Sequence, residues 1–96
     1  MGKDRFRYII AYDVPGDRRR NQISRALEGY GERVQYSVFE CLLDEVQFDA
    51  LWEELCDLLD VKEDSLRAYR LCSACEGWTK MAGQAERVEV PEVYVV

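Results

Sequence analysis

One carboxylate stands close to a run of arginines near the start of the chain. The apolar stretch at residues 6–12 ends at Asp13, and a Val-Pro-Gly segment then leads to Asp17 and to Arg18, Arg19 and Arg20. A carboxylate can bind a divalent cation, and arginines can hold phosphate groups through paired hydrogen bonds. The pattern therefore indicates a functional site at the end of a strand. Equally, Asp13 could only accept hydrogen bonds from turn amides, as Asp often does before a proline.

The chain contains no histidine, and this restricts the reactions that such a site could catalyse. Ser-His-Asp hydrolysis and ribonuclease chemistry based on histidine are both excluded. A metal mechanism remains, because Mg²⁺ bound by a carboxylate, waters and phosphate oxygens can lower the pKa of a bound water. One Asp is a poor metal site by itself, but two copies of Asp13 that face each other across the axis of a symmetric dimer would supply a pair of carboxylates.

The length and composition predict one soluble domain. Of 96 residues, 48% are apolar, and we expect a core at residues 5–72 followed by a loop and strand at 73–96. The net charge of −6 argues against a non-specific polyanion binder, but the first third is basic, which keeps nucleic acid as a possible partner. Since the sequence has no membrane-spanning stretch and no signal-peptide pattern, we expect a cytoplasmic protein without membrane contact.

Four cysteines leave two further interpretations open. Cys72 and Cys75 have the spacing of a zinc knuckle or of a redox pair, although a lone pair at this spacing establishes neither. Cys41 and Cys56 fall at packing positions of a strand and a helix. In a cytosolic chain we expect reduced thiols.

The hydrophobic pattern predicts six elements that position Asp13 and the arginines. A strand over residues 6–13 precedes a helix at about 18–30, with Asp17 as N-cap and Gly31 at C′. Two short antiparallel strands at about 33–36 and 38–43 follow, joined by a reversal near Ser37. Asp44 caps a second helix with an acidic outer face, and a strand at 66–72 comes next. The apolar stripe of the second helix consists of Phe48, Leu51, Trp52, Leu55, Leu58 and Leu59.

This β-α-β-β-α-β order predicts an α+β, ferredoxin-like fold, in which a four-stranded antiparallel sheet carries two helices on one face. Both faces of the first strand are largely apolar, and the tail is β-rich but broken by Pro91. We therefore expect a homodimer whose open sheet faces meet. An additional C-terminal strand, from about Arg87 to Val96, is expected to pair with the partner subunit.

Three segments carry a family resemblance. They are Tyr12-Asp13 with the arginine triplet, the stretch from Arg33 to Cys41, and Glu63-Asp64-Ser65-Leu66-Arg67-Ala68-Tyr69. In order and spacing over about residues 6–72, they resemble the CRISPR-associated protein two family, the small subunit of the spacer-acquisition machinery. The segment around Gln35-Tyr36-Ser37-Val38-Phe39-Glu40 is the most specific, because it has no generic reason to recur.

The resemblance implies a subunit of CRISPR adaptation that acts as a Mg²⁺-dependent endonuclease on RNA or DNA. It also implies a homodimer and a partner, the CRISPR integrase known as CRISPR-associated protein one. The alternative is a non-catalytic dimeric scaffold that binds DNA and bridges the integrase. A generic regulatory dimer would give no reason to join Tyr12-Asp13 to three arginines.

The resemblance also implies roles for individual residues. Asp13 matches the metal-binding and catalytic aspartate, while Tyr12 and Phe39 match supporting positions. Gln22 stands where some family members have another basic residue. The residues that we expect to contact nucleic acid are Arg18, Arg19, Arg20 and Arg33.

Overall fold

The strand that ends at Asp13 lies inside a four-stranded sheet. The computed structural model describes residues 4–72, 74 and 77–83. The strands are antiparallel in the order β2-β3-β1-β4, as the ferredoxin-like prediction requires. The elements are β1 (Phe6–Asp13), α1 (Asp17–Glu28), β2 (Gly31–Gln35), β3 (Val38–Leu43), α2 (Glu45–Leu58) and β4 (Ser65–Leu71).

The core lies on one face of the sheet, because alternate residues of β1 point towards the helices. Tyr8, Ile10 and Tyr12 are at most 5% exposed and belong to one apolar cluster with residues of both helices. This cluster fixes β1 in place and so fixes where its last residue, Asp13, must lie. The fully buried helix residues of the cluster are Ile23, Leu27, Leu51 and Leu55.

The ends of α1 differ from the prediction. Gly16 is the N-cap, and Asp17 is the first helical residue, where its negative charge faces the positive end of the helix. The helix ends at Glu28 with Gly29 as C-cap, two residues before the predicted end. Gly31 is instead the first residue of β2, where its backbone lies directly against β3.

The predictions for the other elements are close to the structure. Residues 36 and 37 form the reversal between β2 and β3, and β4 begins and ends one residue before its predicted bounds. Asp44 caps α2 as predicted: its carboxylate accepts from the Gln47 amide at 2.8 Å, and its own amide donates to Gln47 Oε1 at 2.9 Å. This reciprocal pair is a capping box.

The predicted C-terminal exchange strand at residues 87–96 and Cys75 both lie outside the described residues. In the part that is described, Thr79 and Met81 join Arg7, Ile9 and Leu71 in lining a cavity of about 50 Å³. Thr79 and Met81 therefore lie close to residues of β1 and β4. Within the described ranges, no helix has the length and apolar character required to cross a bilayer.

Candidate functional site

Asp13 is the last residue of β1, and its Cα pairs with that of Ser65 at the start of β4. The side chain is exposed, and its carboxylate accepts no hydrogen bond and forms no ion pair with any described residue. This result disfavours the alternative in which Asp13 serves only to bind turn amides. The carboxylate is therefore available to solvent or to a ligand.

Arg20 holds the loop that connects β1 to α1, residues 14–16. Its Nη1 donates to the carbonyl oxygens of Val14 at 3.0 Å and Pro15 at 3.2 Å. Its Nη2 donates to the carboxylate of Asp17, at the start of α1. A single guanidinium thus fixes the backbone that follows Asp13.

Arg33 projects from β2 towards α1 and the core. It donates to the carbonyl oxygen of Tyr36 and to the hydroxyl of Ser24. Its guanidinium carbon lies 5.1 Å from the ring centroid of Phe39, which is close enough for a cation–π interaction. Phe39 is fully buried and its ring lies 6.4 Å from that of Tyr12, so the two predicted supporting residues and Arg33 form one group.

An open pocket of about 330 Å³ brings three of the predicted site residues together. Tyr12, Arg20 and Arg33 line it, and none of its described lining residues is acidic, which favours an anionic ligand. Three lining residues were not predicted: Asn21, Ser24 and Tyr36. Ser24 could have been found from the sequence, because it lies one helical turn after Arg20 and therefore on the same face of α1.

The other predicted residues lie outside the lining of this pocket. Strand alternation directs Tyr12 towards the helices and Asp13 towards the opposite face of the sheet. Arg18 is exposed, and within the described part of the chain its side chain makes no hydrogen bond or ion pair. Arg19 instead contacts the turn before β4, donating from Nε to Asp64 Oδ2 at 2.7 Å and from Nη2 to Asp64 Oδ1 at 3.1 Å.

The donor set of one chain can supply only part of a metal site. Among the described residues, no group of three or more His, Cys, Asp or Glu side chains is arranged to hold a metal ion. Mg²⁺ is commonly bound through one or two carboxylates with water and substrate phosphate oxygens completing its shell. Asp13 fits such a site as one ligand.

A protein-family model described as CRISPR associated protein Cas2 matches residues 6–79, which include β1, the arginine triplet and all of β4. The chain belongs to the Cas2 family. The family that the sequence resemblance indicated is thereby confirmed.

Individual Cas2 proteins agree with this assignment. A Synechocystis protein named CRISPR-associated endoribonuclease Cas2 3 is 54% identical over 66 residues, which are 69% of this chain and 72% of that protein. A Thermus thermophilus protein named CRISPR-associated endonuclease Cas2 2 is 42% identical over 89 residues, 93% of this chain and 94% of that protein. A chain of a solved partial Cas6-RT-Cas1–Cas2 complex has a TM-score of 0.72 at 28% identity, covering 90% of this chain and 94% of that one.

Proposed function

We propose that this Cas2-family chain is a subunit of CRISPR adaptation and a metal-dependent endonuclease that hydrolyses phosphodiester bonds in RNA or DNA. The observation that carries the proposal is the exposed carboxylate of Asp13, which has no hydrogen-bond or ion-pair partner among the described residues and is followed by a loop that Arg20 holds in place. The names of its relatives, endoribonuclease and endonuclease, support the same chemistry.

Phosphate binding is assigned to Arg18, Arg20 and Arg33. Arg18 offers an exposed guanidinium, and Arg20 and Arg33 line a pocket whose described lining residues include no acidic side chain. Such contacts bind the sugar-phosphate backbone without selecting a sequence. Tyr36, a residue that is 78% exposed and lines the same pocket, provides a ring on which an unpaired base can stack. Tyr12 and Phe39 support these groups from the core.

The metal is assigned to Asp13, with Mg²⁺ as the ion. When bound, Mg²⁺ makes a bound water more acidic and stabilises negative charge on the leaving oxygen. The chain itself contributes the carboxylate, held at a strand end, and arginines that orient the phosphate. A homodimer would bring a second Asp13 to the same substrate. Cas1 is the proposed integrase partner, supported by the likeness to a chain of a Cas1–Cas2 complex.

The substitution Asp13→Asn tests the catalytic role, since it preserves size and polarity but removes the charge that a hard cation requires. We expect Mg²⁺-dependent cleavage of RNA or duplex DNA by the purified protein to fall to background while nucleic-acid binding and dimerisation persist. The matched control is Asp57→Asn, which removes an exposed carboxylate on α2 that forms no hydrogen bond or ion pair with the described residues. Cleavage retained by Asp13→Asn would place catalysis elsewhere or in a contaminant.

A non-catalytic scaffold is the second candidate function. The scaffold is favoured because the proposed metal site takes only one carboxylate, that of Asp13, from each chain. In this case the dimer would hold DNA with its arginines and bridge the integrase. Spacer capture with Cas1 present separates the two candidates: capture that survives Asp13→Asn supports the scaffold, and capture lost together with cleavage supports the nuclease.

A further inference from the structure

Arg19 has a different environment from the arginines on either side of it. Its guanidinium donates two hydrogen bonds to the Asp64 carboxylate, from Nε at 2.7 Å and from Nη2 at 3.1 Å. The same Nη2 lies 3.4 Å from the carboxylate of Glu63. The side chain of Asp64 is completely shielded from solvent, whereas that of Arg19 is 30% exposed. The bidentate geometry fixes the orientation of both groups as well as their separation.

Asp64 belongs to a turn that is itself held by hydrogen bonds. Its Oδ2 accepts from the Asp60 amide at 2.9 Å, and its own amide donates to the Asp60 carbonyl at 2.8 Å. The hydrogen bond from Arg19 lowers the pKa of Asp64, and the same bond raises the pKa of Arg19. Both groups therefore stay charged at neutral pH, and Arg19 is attached to a well-defined turn.

The contact between Arg19 and Asp64 joins the start of α1 to the turn before β4, on either side of the end of β1. Asp64 precedes Ser65, which pairs with Asp13 across the sheet. From Asp13 the chain passes through residues 14–16 to the first turn of α1, where Arg19 reaches back to Asp64. The guanidinium also packs on the loop itself, because a Cβ atom added to Gly16 would lie 3.4 Å from Arg19 Nη2.

We propose that Arg19 and Asp64 form a positioning pair that fixes the β1–α1 loop and with it the carboxylate of Asp13, and that Arg19 does not contact phosphate. Arg20 braces the same loop through the carbonyl oxygens of Val14 and Pro15. Arg20 thus holds the loop through its backbone, whereas the Arg19–Asp64 pair holds it through the turn before β4. This inference rests on the proposed function of Asp13, and it removes Arg19 from the phosphate contacts expected from the sequence.

Salt-dependent binding separates the two roles of arginine without requiring catalysis. Arg18→Gln, the adjacent and exposed control, should flatten the slope of log K against log salt on duplex DNA by roughly 0.9, the value for one phosphate contact. Arg19→Gln and Asp64→Asn should leave the slope at the wild-type value. A slope that flattens in Arg19→Gln as much as in Arg18→Gln would make Arg19 a phosphate ligand and overturn the proposal.

Cleavage kinetics test the positioning role itself. Arg19→Gln and Asp64→Asn should each lower kcat on the order of 10- to 100-fold, as displaced catalytic groups do, with little change in KM. Arg19→Lys preserves the charge but not the fork, so it should also lower kcat. Thermal unfolding identifies any of these three variants that is not folded at the assay temperature. The kcat values of the folded variants then decide whether the pair has a positioning role. Wild-type kcat in a folded Arg19 or Asp64 variant contradicts the proposal.

Two results would show that the proposed nuclease activity itself is wrong. Either the wild-type protein does not cleave nucleic acid, or the Asp13→Asn variant cleaves it at the normal rate. In that case amide hydrogen exchange at residues 13–17 tests the pair directly. Faster exchange there in Arg19→Gln and Asp64→Asn than in Arg18→Gln supports the positioning pair, because loosened segments open more often. Unchanged exchange refutes it.

Discussion

Three consecutive arginines of α1 have three different surroundings. Arg18 is exposed and unpaired among the described residues, Arg19 binds Asp64, and Arg20 donates to carbonyl oxygens of the preceding loop. In sequence they form one basic run. Because consecutive helix positions are rotated by about 100° from one another, they reach different neighbours. A phosphate-binding role therefore has to be assigned to each arginine from its own contacts.

Cys41 and Cys56 should differ in how readily their thiols react. Cys41 is fully buried on β3, and this burial raises the pKa of its thiol to about 12. Since the thiolate is the reactive form, Cys41 should resist iodoacetamide in the native protein at about pH 8. Cys56, which is exposed on α2, is the internal control and should be alkylated readily.

Peptide mass spectrometry after timed labelling measures this difference. All four cysteines of the chain should react once the protein is unfolded in denaturant. Equal native labelling rates at Cys41 and Cys56 would mean that β3 opens far more easily than a buried central strand should.

At the scale of elements, close packing of two strands explains why β2 begins at a glycine. A Cβ atom on Gly31 would lie 2.3 Å from the carbonyl oxygen of Glu40 and 2.5 Å from Cys41 Sγ. No L side chain fits there without moving the backbone of β3. The sequence pattern of a glycine after a helix suggested a helix cap, but the contact with β3 decides the role of Gly31.

Gly31→Ala is therefore expected to destabilise the protein by about 1–3 kcal/mol, the usual cost of forcing an extra methyl group into a packed interior. Gly29→Ala is the matched control. Gly29 has φ −77°, and a Cβ atom there would meet only the Ala26 carbonyl oxygen, at an ordinary 3.5 Å. Urea unfolding of both variants measures the difference, and equal midpoints would show that β2 and β3 are not packed this closely.

At the scale of the whole molecule, a single chain supplies only part of the proposed metal site and leaves an edge of its described sheet available. Asp13 is a single carboxylate, and β4 is an edge strand of the described sheet. An unpaired edge invites another strand. The predicted C-terminal strand at residues 87–96 of a partner subunit would meet this need and would create the dimer that places two Asp13 side chains in one assembly.

Truncation after Gly83 tests this assembly, because it removes the proposed exchange strand and exposes apolar edges. We expect monomer or aggregate by light scattering, with the full-length chain running as a dimer under the same conditions. Gly31→Ala at a temperature where it remains folded controls for general destabilisation and should still dimerise. A truncated chain that forms a well-folded dimer would show that the tail is not required.

The element order could be predicted from the sequence because it depends on local signals. Apolar alternation marks the strands and helical spacing marks the buried stripes, while Asp44 and Gln47 form their capping box within four residues. The ends of α1 were less predictable. Gly16, Asp17, Gly29 and Gly31 are all compatible with a helix end by residue type, and the close contact with β3 places Gly31 in the strand.

By itself, the sequence determined the family and drew attention to Asp13, because a carboxylate at a strand end before an arginine run is a local pattern. Only the tertiary structure decided what each arginine does. Arg19 and Asp64 are 45 residues apart in the chain, so no periodicity reveals their contact. The pair exists because antiparallel pairing of β1 with β4 brings the turn before β4 next to the first turn of α1.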